Sequence, residues 1–75
     1  MTDVALMLDL KGLNCPLPVL RTAKAMAGLA AGARVIVEAT DPMAAIDIPH
    51  FCRQKGHTLV SVERGEVLRF TIEKA

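Results

Sequence analysis

The chain has 75 residues, 52% of them hydrophobic, with Phe51 and Phe70 the only aromatics and a net charge of +1. A chain this short buries only about 60% of its unfolded surface, so one small domain over residues 1–75 with an aliphatic core is expected. The near-zero charge and the lack of Trp and Tyr for base stacking weigh against nucleic acid as a partner. No apolar run approaches the roughly 20 residues that cross a bilayer, so no direct membrane partner is expected either.

The first segment, Met1 to Leu10, carries Asp3 and Asp9 and lacks the basic start and apolar run of a signal peptide. The reading is a cytoplasmic protein. Leu6, Leu8 and Leu10 alternate with Ala5, Met7 and Asp9, the period of a strand with one apolar face. After Pro16 the period becomes that of a helix. Val19, Leu20, Ala23, Met26, Ala27 and Ala30 fall in a stripe about 120° wide, while Arg21, Thr22, Lys24 and Gly28 point elsewhere. Gly28 and Gly32 lie where a helix would end.

Next, Ala33 to Thr40 is rich in β-branched residues and bounded by Gly32 and Asp41-Pro42, which predicts a second strand. Asp41 is placed as an N-cap with Pro42 at the first helical position. Pro49 cannot continue a helix without losing a hydrogen bond, and Asp47 offers a fresh cap. A short turn, a break and a second helical piece ending at Gly56 are therefore expected. Residues 57–63 and 66–73 predict two strands joined by a tight hairpin at Arg64-Gly65. The order is β-α-β-α-β-β: an α/β (α+β) two-layer sandwich, a four-stranded mixed sheet with two helices on one face.

The chemistry concentrates at Gly12–Pro18, "GLNCPLP". A helix starting at Pro16 puts Cys15 at its N-terminus, where unpaired N–H groups and the helix dipole favour a thiolate. Pro16 and Pro18 donate no hydrogen bonds, so the Leu17 N–H is the main first-turn donor left for the sulfur, and their rings fix the turn that displays it. A buried filler is the ordinary alternative for a free cysteine. No Cys-His-Asn set for thiol hydrolysis is visible. A sulfur that carries a group needs none.

The stretches "LDLKGLNCPLPVLRTAKAM" and "DPMAAIDIPHFCRQKGHTL" closely resemble the TusA/SirA-type small sulfur-carrier family, over essentially the whole chain. The resemblance implies a sulfurtransferase whose C-P-x-P cysteine accepts sulfane sulfur from a cysteine desulfurase or rhodanese-type donor. It would hold that sulfur as a persulfide and pass it to an acceptor protein, in tRNA thiolation, cofactor sulfur supply or sulfur oxidation. Carried over, Cys15 bears the persulfide, and Pro16 and Pro18 are the motif prolines. Where the tRNA-thiolation branch has an acidic residue between the prolines and a basic one before the cysteine, this chain has Leu17 and Asn14. Asn14 reads as an alternative cap, and the donor and acceptor stay unassigned.

Other residues have plainer readings. Cys52 reads as a buried structural thiol, with a resolving thiol for Cys15 as the sharper alternative. His50, Cys52 and His57 fit no standard zinc spacing, so no metal or cofactor is expected. His50 reads as a surface residue and His57 as a strand-edge residue. Arg21 and Lys24 read as a solvated helix face that would also suit docking of an acidic partner. Two other functions fit the same elements. One is an RNA- or protein-binding module, since the sandwich resembles the C-terminal domain of a translation initiation factor. The other is a redox switch of Cys15 and Cys52. A monomer is favoured over a dimer, although a small open sheet has exposed edges.

Overall fold

In a computed structural model, which describes residues 6–75, the elements run β1 (Leu6–Leu10), α1 (Leu17–Ala27), β2 (Arg34–Ala39), α2 (Ala44–Lys55), β3 (Thr58–Glu63) and β4 (Leu68–Glu73). Ala5, placed in the first strand above, and the signal-peptide reading of the first residues lie outside the described residues. The sheet order is β1-β2-β4-β3, with β1 parallel to β2 and the other pairs antiparallel. This is the mixed four-stranded sheet that the alternation predicts.

Register explains the core. Val35, Val37 and Ala39 of β2 stand opposite Ile72, Phe70 and Leu68 of β4, and all six are buried. Leu8 and Leu10 of β1 extend that face beside Val37 and Ala39. Met26 from α1 and Ile48 and Phe51 from α2 close over it, so the two helices form the second layer. Two details differ from the expected strands. Arg64 to Val67 form a four-residue connection between β3 and β4 rather than a tight two-residue turn. Val60 is an extra residue in the edge strand β3: the register slips between Leu59, opposite Ile72, and Ser61, opposite Thr71.

The helices depart further from expectation. The inner arc of α1 centres on Pro18, Thr22 and Met26, whereas Leu20 is 56% exposed and Ala27 and Ala30 face out. Thr22 can occupy the core because its hydroxyl donates to the Pro18 carbonyl at 2.8 Å, leaving no unpaired polar atom. The helix starts at Leu17, with Pro16 as its cap residue and no side-chain cap, so Asn14 does not cap it through its side chain.

The predicted break at Pro49 does not occur. Residues 44–55 form one helix through the proline. An interior proline costs about 3 kcal/mol, but burying Ile48 and Phe51 returns roughly 1.5–3 kcal/mol each, so packing wins. Asp41 and Pro42 form a turn ahead of this helix instead of its cap and first residue: the Met43 N–H donates to Asp41 Oδ1 at 3.0 Å. Gly56 ends the helix in the left-handed region (φ 77°), where the Gly56 and His57 N–H groups close on the last carbonyls.

On the sheet face away from the helices, Glu38 joins β1, β2 and β4. It accepts from Lys11 Nζ at 3.0 Å and from Arg69 Nη2 at 2.6 Å. The Arg69 bond first, then the Lys11 bond, hold its carboxyl below the usual 4.5. A depressed folded-state value contributes stability that is present above pH 4.5 and lost as pH falls through the folded value. Thermal melts from pH 7 down to 3 should therefore show wild type losing more stability than Glu38→Gln. Parallel pH profiles would sink that expectation.

Candidate functional site

The site lies where the two parallel strands end. In open α/β sheets, loops at the carboxyl ends of parallel strands converge on one crevice. Here the loop after β1 (residues 11–16) meets the loop after β2 (residues 40–43). The first loop turns at Gly12, whose φ of 85° suits a residue without Cβ. It is held in place by the Gly12 N–H donating to Thr40 Oγ1 at 2.9 Å and by Lys11 on Glu38. The Cys15 N–H donates to Asp41 Oδ2. Asp41 therefore organises both loops, through Met43 on its own side and Cys15 on the other.

Cys15 is exposed and its thiol is free. Its Sγ donates to Asp47 Oδ2 at 3.2 Å, across from the first half of α2. This arrangement differs from the expected one. The Leu17 N–H, the expected donor to the sulfur, is already occupied by the Asn14 carbonyl at 2.8 Å, and the Leu20 N–H by the Pro16 carbonyl at 3.1 Å. The Cys15–Pro16 peptide is cis. With carboxylates acting on the sulfur, the thiol is pushed up from its ordinary value. The Asp47 hydrogen bond is the largest cause, followed by desolvation and the charges of Asp47 and Asp41.

An open groove of about 430 Å³ runs past the sulfur. Its α1 wall is Pro16, Val19, Leu20 and Ala23, and its α2 wall includes Asp47, His50, Phe51 and Lys55. Leu17 (40% exposed), Met43 (44%) and Ile46 (62%) add apolar surface on the segments flanking Cys15 and Asp47. Sequence reasoning missed this half of the site. It placed Asp47 as a cap for a helix piece that does not form, and Leu20 in the core. The mixed apolar and acidic make-up of residues 41–47 was the available signal.

The remaining candidates lie apart from the sulfur. Cys52 is buried at 2% exposure, as the plainer reading holds, and burial pushes its thiol up. Asp47, not Cys52, is the side chain that Cys15 Sγ touches. Arg21 and Lys24 are exposed but are not in the groove wall, whose cation is Lys55. His50 lines the groove. His57 packs against Phe51 with ring centroids 5.4 Å apart, and its Nδ1 accepts from the Ala75 N–H at 3.0 Å. Among the described residues, no three His, Cys, Asp or Glu side chains gather as metal ligands. No helix among them is long and apolar enough to cross a membrane.

Comparison with known proteins gives a consistent picture. The family model described as Sulfurtransferase TusA matches residues 6–74. The sulfur carrier protein TusA of Allochromatium vinosum is 41% identical over 76 aligned positions, covering 100% of each chain. YrkI of Bacillus subtilis, named among sulfur carrier proteins, is 43% identical over 68 positions, which span 89% of this chain and 91% of that one. In three dimensions, the crystal structure of a SirA-like protein from Desulfitobacterium hafniense superposes with a TM-score of 0.80 at 27% identity. That match covers 91% of this chain and 95% of the other.

Proposed function

The chain belongs to the TusA family of sulfur carriers, and from this premise we propose that Cys15 is the residue on which the sulfur rides, as a persulfide. The observation that carries the reading is an exposed, free thiol on a pinned loop, facing an open groove with apolar walls. A cysteine desulfurase or rhodanese-type protein presents a persulfide. The Cys15 sulfur attacks its outer, sulfane sulfur; the new S–S bond forms as the donor's S–S bond breaks, and the donor leaves as a thiol. Repeating the step with an acceptor thiol empties the carrier. Neither step changes the overall oxidation state or needs a cofactor, and the setting is the cytoplasm.

Each transfer demands that two proteins bring their sulfurs into contact, so the surface around Cys15 must be a docking surface. Leu20 of the groove wall, with the exposed Leu17, Met43 and Ile46 on the segments that carry Cys15 and Asp47, suits that role, since exposed apolar side chains are the material of an interface centre. Arg21 and Lys24, on the exposed side of α1, are available to steer an acidic partner. Replacing Leu20 and Ile46 together by Ser should slow loading from a protein donor by about tenfold or more, since interface anchors are worth upwards of 1 kcal/mol each. Alkylation of Cys15 by iodoacetamide should change little. Equal slowing of both would place the effect on the thiol rather than on docking.

The direct test is intact-protein mass spectrometry after incubation with a cysteine desulfurase and cysteine, or with thiosulfate and a rhodanese, followed by peptide mapping. The expected product carries one extra sulfur on the peptide containing Cys15. An adduct confined to Cys52, or none with either donor, would overturn the proposal.

A further inference from the structure

The carboxylate at Cys15 raises a question that carrying sulfur does not answer. A nucleophilic thiol is usually placed beside groups that favour its anion. Here Sγ donates to Asp47 Oδ2 at 3.2 Å, and Asp41 sits on the backbone of the same residue. His50 and Lys55 of α2 also line the groove, and α1 contributes no titratable side chain to it. The two groups that act on the thiol are both acidic.

The loaded and empty forms of the site differ in charge. A persulfide is a stronger acid than the thiol that bears it, so near neutrality the loaded site is an anion while the empty one keeps its proton. A carboxylate at hydrogen-bond distance treats the two forms oppositely. We propose that Asp47 tunes Cys15 to give its sulfur away: the carboxylate favours the empty thiol by accepting the Sγ–H hydrogen bond, and disfavours the loaded persulfide by facing it with like charge. The inference rests on the persulfide reading above.

The step balances as a hand-off. The acceptor's thiol sulfur bonds to the terminal sulfur of the persulfide, and the bond from Sγ to that sulfur breaks with its electron pair on Sγ. The proton of the acceptor thiol ends on Sγ, where Asp47 accepts its hydrogen bond. The acceptor leaves as the anionic persulfide, so charge and sulfane sulfur are both conserved. Asp47 favours this direction because it relieves a like-charge contact and restores a hydrogen bond.

The test equilibrates wild type, Asp47→Asn, Asp47→Ser and Asp47→Glu with a fixed ratio of glutathione persulfide to glutathione, and reads the loaded fraction by mass spectrometry. Circular dichroism melts establish which variants are folded; the Asn and Ser variants guard against failure of either one. The loaded-to-empty ratio should rise severalfold in Asp47→Asn and Asp47→Ser and stay near wild type in Asp47→Glu, which keeps the charge. An unchanged or lower ratio in the folded neutral variants overturns the inference. The rate of iodoacetamide alkylation of Cys15 against pH gives a readout independent of sulfur transfer. Its midpoint should move to lower pH in the neutral variants, and an unmoved midpoint also overturns the role of Asp47. If no protein takes up sulfur while that midpoint moves, the carrier reading fails and the hand-off inference falls with it, leaving only the carboxylate's hold on the thiol proton.

Discussion

Replacing Phe70 by Ala is expected to remove a large share of the domain's stability. Phe70 is fully buried in β4, the strand that pairs with both β2 and β3, and it stands opposite Val37 on one side and Val62 on the other. It is one of two aromatic residues in the chain, and the other, Phe51, retains 7% exposure at the groove. Truncating a buried Phe to Ala costs about 3–5 kcal/mol, because the lost transfer energy is joined by an unfilled cavity. A domain of this length has roughly 4–11 kcal/mol in total. Urea unfolding followed by circular dichroism should show the midpoint falling by about a quarter or more, with an unchanged slope. A loss below about 1 kcal/mol would mean that the aliphatic core around Phe70 can collapse into the space, contrary to the close packing described.

Cys15→Ser should abolish sulfur loading while leaving the fold intact. Serine is nearly isosteric with cysteine, and its hydroxyl can donate to Asp47 as the thiol does, so the pinned loop keeps its contacts. As an exposed site, it should change stability by no more than about 0.5 kcal/mol. A hydroxyl cannot accept sulfane sulfur under these conditions. Cys52 cannot substitute, because its sulfur is buried out of reach of a donor protein's persulfide. The measurement is the mass adduct in wild type and variant under the same donor. Residual loading on the variant would move the function to Cys52. The same variant separates the alternatives raised by the sequence, since a binding module would keep its partner and a two-cysteine switch would lose its disulfide.

The strands were readable because the sheet keeps one face open to solvent, so apolar and polar residues alternate plainly along β1 and β4. The face of α1 was not. Hydropathy places Leu20 inside and Thr22 outside, but Thr22 satisfies its hydroxyl on the Pro18 carbonyl and takes the core position. Leu20 is then left beside the sulfur. Pro49 marks a helix end by local rules, yet the buried row of Ala44, Ile48, Phe51 and Cys52 holds α2 together through it. The sulfur proposed as the carrier could be singled out from its place in C-P-x-P at a strand-to-helix junction, and the fold leaves it exposed and free. Its carboxylate neighbour was not legible, because Asp47 is 32 residues away and only the fold brings it to Cys15.

The extra residue at Val60 bears on how copies of this protein can meet. The sheet has two free edges, β1 and β3. At β3 the bulge twists the backbone out of step, so an incoming strand loses the regular ladder it needs. At β1 the pairing with β2 is in register throughout, and Leu6 and Met7 are exposed. The bulge thus leaves β1, among the described residues, as the one edge with a regular ladder to offer.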